Sequence, residues 1–525
     1  MQNMMTVKDA SVWASKLLGK NVTPSNITYL IQYGRIPKIE NNGALLVNKR
    51  DLERYYNANH GTKEKLWKKQ LGNDLNWKLS FSEYKESETT KHVHRLHPYK
   101  GKFIPQLVEY FLDQHTDDFK HKAIFKAGSI VLDPFCGSGT TLVQASELNL
   151  HAIGVDISAF NSFISNAKVG QYDIHHISKL SDEITRALIE FQRTRNNIAF
   201  EVNLLERLKI FNTQFFPSPD FRHKVRNKQI DEKIYGQQKS EEFLKTYTDL
   251  VRKYNISLKQ NRSESFLDVW FLQVVRDEIN FVFNQVQSVE NQATKKMLAL
   301  ILSRTMRSCR ATTHADLGTL KEPTTVAYYC KKHGKICKPL FSILSWWERY
   351  TKDTIKRIQQ FDRLRTNTFQ TCLVGNSRTI DIVNELENKN PNFGKLTGKN
   401  KIDGIFSSPP YVGLIDYHEQ HAYAYDLLGF ERNDNLEIGP LCKGQGIEAR
   451  KAYIEGISDV LKNCKKSFKQ NYDVLLVAND KYGLYPQIAE LAQMKIVNEY
   501  KRPVLNRVEK DRSAYAEIIF HMKEK

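Results

Sequence analysis

The 525-residue chain has few cysteines and no long apolar run, and both shortages exclude classes of protein. Seven cysteines, an odd number, argue against a disulfide framework and for a reducing compartment, so we expect a cytoplasmic location. No uninterrupted apolar stretch approaches the ~20 residues that span a bilayer. The first residues contain no basic segment followed by an apolar one, which argues against a secretory signal. We therefore expect neither secretion nor a membrane partner.

Acidic residues are in the minority. Lys and Arg number 78, Asp and Glu number 59, and the formal net charge is +19. A soluble protein with this charge commonly binds a polyanion, and nucleic acid is the first candidate. Hydrophobic residues make up 41% of the chain, which is enough for sizeable cores, and the length is typical of about three domains.

A glycine-rich turn at residues 133–140 follows a buried-strand run. Gly137 and Gly139 let the backbone turn tightly and approach a ligand closely. No Gly-Lys-Ser or Gly-Lys-Thr follows, so the turn is not a phosphate-binding P-loop, and the charge of Asp133 suits a cationic ligand such as an amino group. Asp156 ends the next strand, 156 − 137 = 19 residues after Gly137, near the ~20 residues typical of an acid that holds ribose hydroxyls. Dinucleotide, flavin and adenosyl sites all use such a turn, and so does a plain β-α connection that needs glycine for packing.

A second candidate site is the turn Ser408-Pro409-Pro410-Tyr411, which follows another buried-strand run. The two prolines offer no backbone N–H and fix φ, so the turn is rigid, with exposed carbonyl groups and a positioned aromatic ring. Such a turn can hold a planar base that carries an exocyclic amino group. The Ser408 hydroxyl and the Pro409 carbonyl would accept its two N–H bonds, and the Tyr411 ring would stack on the base. A proline-stiffened surface loop is the alternative.

The N-terminal residues 1–60 have the pattern of a small module. The pattern predicts helix, turn, helix, hairpin and helix, with Thr23 as the N-cap before Pro24 and a hairpin turn at 41–43. This layout resembles the winged helix-turn-helix of the MerR and excisionase type, which implies contact with DNA. A small helical cap that contacts no DNA is the alternative.

The remaining chain divides into four parts. Residues 61–90 are polar and rich in Lys, which predicts a linker. Residues 91–170 and 371–525 alternate strands with helices, which predicts an α/β fold with a mainly parallel sheet. Residues 171–370 predict a mostly helical, Lys- and Arg-rich insertion that leaves the sheet and returns to it, so it should lie at the edge of the site.

Together, the two turns resemble the motifs of S-adenosylmethionine-dependent DNA amino-methyltransferases. The Asp-Pro-Phe-Cys-Gly-Ser-Gly-Thr sequence at 133–140 is similar to the cofactor motif of that family. The Ser-Pro-Pro-Tyr turn is similar to its catalytic motif in the form typical of cytosine-N4 enzymes, whereas adenine-N6 enzymes more often have Asp or Asn in place of Ser408. The segment 97–105 resembles the family's segment over the methionine end of the cofactor. Asn376 stands where the family has a Gly-Asp motif near the adenine.

The resemblance implies a Rossmann-like class I methyltransferase sheet, with the 171–370 insertion as target-recognition region. It implies a cofactor site at Tyr99, Lys102, Phe103, Asp133, Pro134, Phe135, Gly137, Ser138, Gly139, Thr140, Asp156 and Asn376. It implies a catalytic site at Ser408, Pro409, Pro410 and Tyr411.

The reaction implied is methyl transfer from S-adenosylmethionine to the N4 amino group of cytosine in double-stranded DNA, with the base flipped out of the helix. A cognate restriction endonuclease is a possible partner in a restriction-modification system. Methylation of ring carbon five would need a nucleophilic Cys, normally after Pro, and the chain has no Pro-Cys dipeptide. Adenine-N6 methylation, methylation of RNA or protein, and a DNA-binding regulator with an inactive methyltransferase fold remain the alternatives.

A third group of residues has the spacing of a metal site. Cys330, His333 and Cys337 are three soft ligands within eight residues, and a structural zinc needs four. Cys309 or His314 could complete the set, and Cys309 is our first choice. Two buried thiols beside a surface histidine are the alternative. A zinc here would be structural, because methyl transfer needs no metal.

Overall fold

The computed structural model describes residues 3–18, 21–37, 39–41, 44–59, 69–71, 75–259, 265–316, 320–504 and 515–525. Residues 42 and 43 of the predicted hairpin turn and much of the first half of the predicted linker lie outside these ranges. The strands are β1 Met4–Thr6, β2 Ile39–Asn41, β3 Ala44–Asn48, β4 Ile130–Asp133, β5 His151–Asp156, β6 Tyr328–Cys330, β7 Lys335–Cys337, β8 Gln370–Val374, β9 Ile402–Ser407, β10 Phe468–Ala478, β11 Met494–Pro503 and β12 Ala516–Glu524.

Helices cover most of the remaining described chain. Before and between the first core strands they are Val7–Leu18, Pro24–Gln32, Lys49–Asn59, Glu86–Thr89, Pro105–Leu112, Thr140–Glu147 and Ala159–Val169. In the insertion they are Ile174–Arg193, Asn197–Phe215, Asp220–Arg226, Glu232–Lys253, Phe266–Trp270, Gln273–Gln287, Gln292–Cys309 and Leu344–Asp362. In the C-terminal part they are Ile382–Lys389, Pro391–Asn400, Ala422–Leu428, Ile447–Lys465 and Tyr485–Leu491. Within the described chain, every helix is too short or too polar to cross a membrane.

The central sheet has seven strands in the order β11-β12-β10-β9-β4-β5-β8. β8, β5, β4, β9 and β10 are parallel, and β12 is antiparallel to both β10 and β11. The inner strands are continuous apolar runs such as Ile130-Val131-Leu132. Such runs are expected where helices cover both faces of the sheet, because every side chain of the strand is then buried. The mainly parallel, Rossmann-like sheet predicted from the alternating pattern is confirmed.

The chain changes direction between β4 and β9. From β4 it proceeds outward through β5 to β8, and it then returns across the sheet to place β9 on the other side of β4. In open α/β sheets, ligands bind outside the carboxyl ends of the strands at such a switch point. The two turns singled out in the sequence follow β4 and β9, so they flank this point.

The N-terminal module has three helices and the two strands of a hairpin in the predicted order, with an additional first strand that the pattern did not predict. β1, β3 and β2 form a small antiparallel sheet, and the helices Val7–Leu18, Pro24–Gln32 and Lys49–Asn59 pack around it. Thr23 is the N-cap of the second helix, and its side chain accepts a hydrogen bond from the backbone N–H of Asn26.

The segment predicted as a linker is partly packed. Leu75 and Leu79 are buried, and the Asn76 backbone N–H donates to the Lys501 carbonyl of β11 at 2.8 Å. The Arg502 guanidinium also donates to the Leu79 carbonyl at 3.0 Å. The second half of the 61–90 segment therefore packs against β11 at the edge of the sheet. Its few apolar side chains make this contact possible, and the composition of the segment alone does not indicate it.

Candidate active site

A cleft of about 850 Å³, its open mouth included, lies at the carboxyl ends of β4, β5, β8 and β9. This size is typical of a small-molecule site. Twelve of the residues predicted from the sequence line it: Tyr99, Lys102, Phe103, Pro134, Phe135, Gly137, Ser138, Thr140, Asp156, Asn376, Ser408 and Pro410. The glycine-rich turn and the Ser-Pro-Pro-Tyr turn, 408 − 138 = 270 residues apart from Ser138 to Ser408, thus share one cavity.

The glycine-rich turn has a backbone that only glycine tolerates well. Gly137 and Gly139 have φ of +51° and +74°. A Cβ on Gly137 would lie 3.0 Å from the Tyr99 ring, and a Cβ on Gly139 would lie 2.9 Å from Ser165. Gly139 was predicted to bind the cofactor, but it does not line the cleft. Its lack of a side chain instead allows the turn to pass close to Ser165 where the helix Thr140–Glu147 begins.

Asp156 lies at the end of β5, on the floor of the cleft. Its Oδ2 accepts from the Gly137 N–H at 2.7 Å, and its Oδ1 accepts from the Ser158 N–H at 2.9 Å and from Nδ2 of Asn161 at 3.1 Å. Burial raises the pKa of the Asp156 carboxyl to about 6. The carboxylate therefore holds the glycine turn in place and still faces the cavity.

The sequence analysis expected Asp133 to face a ligand, but the structure buries this residue. It is 1% exposed, and its Oδ1 accepts from the Ser407 hydroxyl at 2.5 Å and from the Phe135 N–H at 3.3 Å. Burial raises the pKa of its carboxyl to about 6. Asp133 joins the ends of β4 and β9 beneath the cleft, so it aligns the two turns with each other.

The Ser-Pro-Pro-Tyr turn presents two of its four residues to the cavity. Ser408 and Pro410 line it, and Pro409 is buried. The Tyr411 hydroxyl donates to Oε1 of Glu517 on β12 at 3.1 Å, and burial raises the pKa of the Tyr411 hydroxyl well above its usual value. The Tyr411 side chain is thus anchored at the sheet edge.

The segment before the helix Pro105–Leu112 closes one side of the cleft. The Tyr99 ring stacks on Tyr417 at 6.1 Å between centroids and on His421 at 5.8 Å. The Lys102 ammonium donates to the His94 carbonyl at 2.8 Å, and burial lowers the pKa of this ammonium to about 8. Lys102 therefore fastens the segment to the protein as well as lining the cavity.

Asn376 follows β8 and lines the cleft at the position predicted. Its Oδ1 accepts from the Arg378 backbone N–H at 3.1 Å and from the Arg378 Nε at 3.3 Å. The neighbouring Ser377 hydroxyl donates to the Pro134 carbonyl at 2.7 Å, so the β8 turn is tied to the β4 turn.

Several lining residues were missed in the sequence. Ser158 and Asn161 begin the helix after β5, and their polarity so soon after Asp156 was an available signal. Tyr417 and Glu437 come from segments beyond the Ser-Pro-Pro-Tyr turn. Only Glu437 of these two was missed, because Asp416-Tyr417 and His421 resemble the cytosine-N4 branch of the family in sequence. Glu437 accepts from the backbone N–H groups of Tyr417 at 3.3 Å and His418 at 2.9 Å. Nothing in the local sequence around Glu437 indicates this contact.

Cys136 also lines the cleft, as part of the glycine-rich turn. The neighbouring Cys372 thiol, together with burial, raises the pKa of the Cys136 thiol well above its usual value. A thiol is a nucleophile only as the thiolate. This cysteine therefore packs against Gly154 of β5, beside Cys372 of β8, and is not poised to attack a base.

The candidate metal ligands lie in the insertion, away from the cleft. Atoms of His314, Cys330, His333 and Cys337 that can bind a metal all lie within 4.8 Å of one another. Cys309, our first choice for the fourth ligand, is wrong: it is buried at the end of the helix Gln292–Cys309 and is not in the group. The chain turns back after that helix, and this turn brings His314 to the hairpin instead.

The chain is similar to a known protein family and to known methyltransferases. The DNA methylase family model matches residues 7–166. The Type II methyltransferase M.MjaII of Methanocaldococcus jannaschii is 44% identical over 99% of this chain and 97% of its own length. The Type II methyltransferase M.MvaI of Kocuria varians is 32% identical over 22% of this chain and 24% of its own length.

Among solved structures, the rRNA methyltransferase aviRa from Streptomyces viridochromogenes is similar over 84% of this chain and 94% of that chain, with 8% identity and a TM-score of 0.28. The 44% identity to M.MjaII, by contrast, extends over nearly the whole of both chains. With the matched family model, it shows that the chain belongs to the family of N6/N4 DNA methylases, whose members use S-adenosylmethionine.

Proposed function

We propose that this protein transfers a methyl group from S-adenosylmethionine to the N4 amino group of cytosine in duplex DNA. The observation that carries the proposal is the shared cavity: the glycine-rich turn with Asp156 forms one part of its lining, and Ser408 and Pro410 form another. A cofactor held by the first set would present its methyl group to a base held by the second.

The residues of the cleft fit S-adenosylmethionine. The absence of a Cβ at Gly137 keeps the turn close to Tyr99, and Asp156 offers carboxylate oxygens to ribose hydroxyls. When bound, the cofactor supplies a methyl group on a positively charged sulfur, which activates that methyl for transfer. The aromatic side chains of Tyr99 and Phe103 line the same cavity and would exclude water from the bound cofactor.

The chain's own contribution to the reaction is positioning and polarisation. The amino nitrogen of cytosine is a weak nucleophile because its lone pair is delocalised into the ring. The Ser408 hydroxyl and the Pro409 carbonyl would accept its two N–H bonds, favour a pyramidal nitrogen and direct the lone pair toward the methyl group. The Tyr411 ring, which is held by Glu517 beside the cleft and does not line it, would stack on the base from the side of the turn. No covalent intermediate with the protein is needed, in keeping with the high thiol pKa of Cys136.

His421 is a further group for the target base. Its two ring nitrogens are buried and have no hydrogen-bond partner among the described residues. Burial, with the charges of Arg307, His418 and Arg310, lowers the pKa of the imidazole to about 3, so it is neutral and offers one donor and one acceptor. His421 itself does not line the cleft, but its ring stacks on that of Tyr99, which does, and we propose that a base flipped into the cavity reaches it there.

Duplex DNA is the proposed substrate because of the charge and the appended parts of the chain. The net charge of +19 favours phosphate binding without sequence information. We assign base recognition to the 171–370 insertion and a DNA contact to the winged helix-turn-helix-like module, whose helix Pro24–Gln32 exposes Tyr29. M.MjaII and M.MvaI both carry Type II methyltransferase names, which supports a restriction-modification setting with a cognate endonuclease.

Product identification tests the proposal. The purified protein is incubated with labelled S-adenosylmethionine and mixed-sequence duplex DNA, the DNA is digested to nucleosides, and the labelled nucleoside is identified by mass spectrometry. We expect N4-methylcytosine. N6-methyladenine would overturn the use of Ser408 as the marker of cytosine specificity. Cofactor binding without any labelled nucleoside would overturn the DNA substrate.

A further inference from the structure

The insertion contains four soft metal ligands in one place. Cys330 and Cys337 lie on β6 and β7, His333 lies in the turn between these strands, and His314 lies on the loop that precedes them. The His333 Nδ1 lies 3.4 Å from the Cys337 Sγ, and the His314 Nδ1 lies 3.8 Å from the Cys330 Sγ. Ligands bound tetrahedrally to zinc at its usual bond lengths are about 3.3–3.8 Å apart, so these separations match the edges of a zinc tetrahedron.

We propose that His314, Cys330, His333 and Cys337 bind one Zn²⁺, and that this zinc fixes the β6–β7 hairpin against the helix Asp220–Arg226, on which the N-terminal module rests. Two thiolates and two imidazoles in a tetrahedron suit zinc better than the oxygen-preferring divalent ions. Four protein ligands leave no open position, so the site is structural.

The hairpin has the backbone of a tight metal-binding turn. The N–H groups of His333 and Gly334 donate to the Cys330 carbonyl at 3.1 Å and 2.6 Å. The Tyr328 hydroxyl lies 2.8 Å from Nδ1 of His314 and accepts from the His314 backbone N–H at 3.1 Å. This hydroxyl orients the His314 ring toward the cysteines, and metal binding would replace its contact with Nδ1.

The same hairpin holds a neighbouring arginine. The Arg222 guanidinium donates to the carbonyls of Lys331 and Lys332 at 2.7 Å and 2.9 Å. A Cβ on Gly334, which has φ of +65°, would lie 2.4 Å from the Arg222 Nε, so the glycine permits this approach. A two-stranded hairpin of three residues a side is marginal by itself, and a zinc would supply the order that these contacts require.

The helix that carries Arg222 continues the connection to the N-terminal module. Arg226 donates to the Tyr33 carbonyl at 3.0 Å, and the Ser218 hydroxyl donates to the Gln32 carbonyl at 3.3 Å. Both carbonyls lie at the end of the module's second helix. Loss of the zinc should therefore destabilise the hairpin first and then the contact between the helix Asp220–Arg226 and the N-terminal module.

Metal content is the first test. The full-length protein, purified without chelator under reducing conditions, should contain one zinc per chain by inductively coupled plasma mass spectrometry. Cys330→Ser and Cys337→Ser should each lower this to under about one tenth. Cys442→Ser, which removes an exposed thiol, and Cys309→Ala, which removes the ligand first predicted, should leave one zinc per chain. Iron instead of zinc, or zinc retained in both hairpin variants, would overturn the proposal.

A measurement on the unsubstituted protein guards against variants that do not fold. Zinc X-ray absorption of the purified chain should give two sulfur and two nitrogen neighbours, at about 2.3 Å and about 2.0 Å. A wild-type protein without metal, or with a Cys330–Cys337 disulfide detected by mass spectrometry under reducing purification, would refute the site.

Hydrogen exchange tests the structural role. Removal of the metal by a chelator should raise amide exchange in residues 328–337, in 220–226 and in 24–36, while β4 and β9 stay protected. Unchanged exchange in 24–36 after metal loss would overturn the connection to the N-terminal module. Because S-adenosylmethionine binding is measured on the same samples, failure of the zinc site and failure of the proposed methyltransferase function are distinguishable.

Discussion

The hydroxyl of Tyr411, in the catalytic turn, donates a hydrogen bond to Oε1 of Glu517, 3.1 Å away on β12. The other carboxylate oxygen of Glu517 accepts from the Arg502 guanidinium at 2.9 and 3.0 Å, and Arg502 in turn donates to the Leu79 carbonyl. Arg502 is 4% exposed. The ring assigned to base stacking is therefore held by an ion pair between β11 and β12, whose members follow Tyr411 by 502 − 411 = 91 and 517 − 411 = 106 residues.

Glu517 should act as a positioning residue for Tyr411. In Glu517→Gln one carboxylate oxygen becomes an NH2 donor, so either Arg502 loses its acceptor or Tyr411 must accept a hydrogen bond where it now donates one. We expect kcat for methylation to fall roughly tenfold with little change in the Kd for S-adenosylmethionine, because a small displacement of a positioned group is costly. Steady-state kinetics and calorimetry measure the two effects. Glu499→Gln, on the exposed face of β11, is the control, and an equal loss of kcat there would refute the role.

Ser408→Ala should lower the methylation rate about a hundredfold, since it removes one acceptor for the amino group in the transition state. Ser408 lines the cleft and is not part of the glycine-rich turn, so cofactor binding should survive. Single-turnover rates and cofactor titration separate the effects. Loss of cofactor binding in this variant would contradict the division of the cleft into a cofactor part and a base part.

Gly139→Val should abolish S-adenosylmethionine binding. The added Cβ would lie 2.9 Å from Ser165, and the backbone has φ of +74°, which a β-branched residue tolerates poorly. Gly128 also has a positive φ, but a Cβ added there has no atom within 4 Å, and Gly446 has neither a positive φ nor an atom within 4 Å of an added Cβ. Gly128→Ala and Gly446→Ala are therefore the controls. Equilibrium dialysis with labelled cofactor should give normal binding for both controls. Normal binding by Gly139→Val would show that the turn does not support the cofactor.

Asp156 predicts a pH dependence of cofactor binding. Burial raises the pKa of its carboxyl to about 6, and the ionised form is the one whose two oxygens both accept hydrogen bonds from ribose hydroxyls. Affinity should therefore fall as the pH drops below about 6, and Asp156→Asn should bind more weakly with a flatter pH profile. Calorimetry between pH 5 and pH 8 checks this. A wild-type profile as flat as that of Asp156→Asn would refute the assignment.

The same carboxyl has a consequence for the stability of the cofactor-free protein. A folded-state pKa raised above the unfolded value means that the folded state binds more protons between about pH 4 and pH 6, so stability falls as the pH rises through this window. Asp156→Asn lacks this titration. Its Tm relative to wild type should rise between pH 4 and pH 6 and then stay level, as thermal unfolding can show.

The sequence by itself determined which short segments carry the chemistry. Glycine at 137 and 139, the acid at 156 and the paired prolines at 409 and 410 are local necessities of backbone geometry, and they are visible without any contact information. The alternating strands and helices likewise determined a mainly parallel sheet, because each pattern reflects burial on known faces.

Tertiary structure alone decided which distant residues meet. The return of the chain across β4 joins Asp133 to Ser407, and the antiparallel β12 brings Glu517 to Tyr411. The loop after the helix Gln292–Cys309 selects His314 over Cys309 at the candidate metal site. These pairs are separated by long stretches of chain, and their contact depends on strand order and loop path, which no local pattern of side chains encodes.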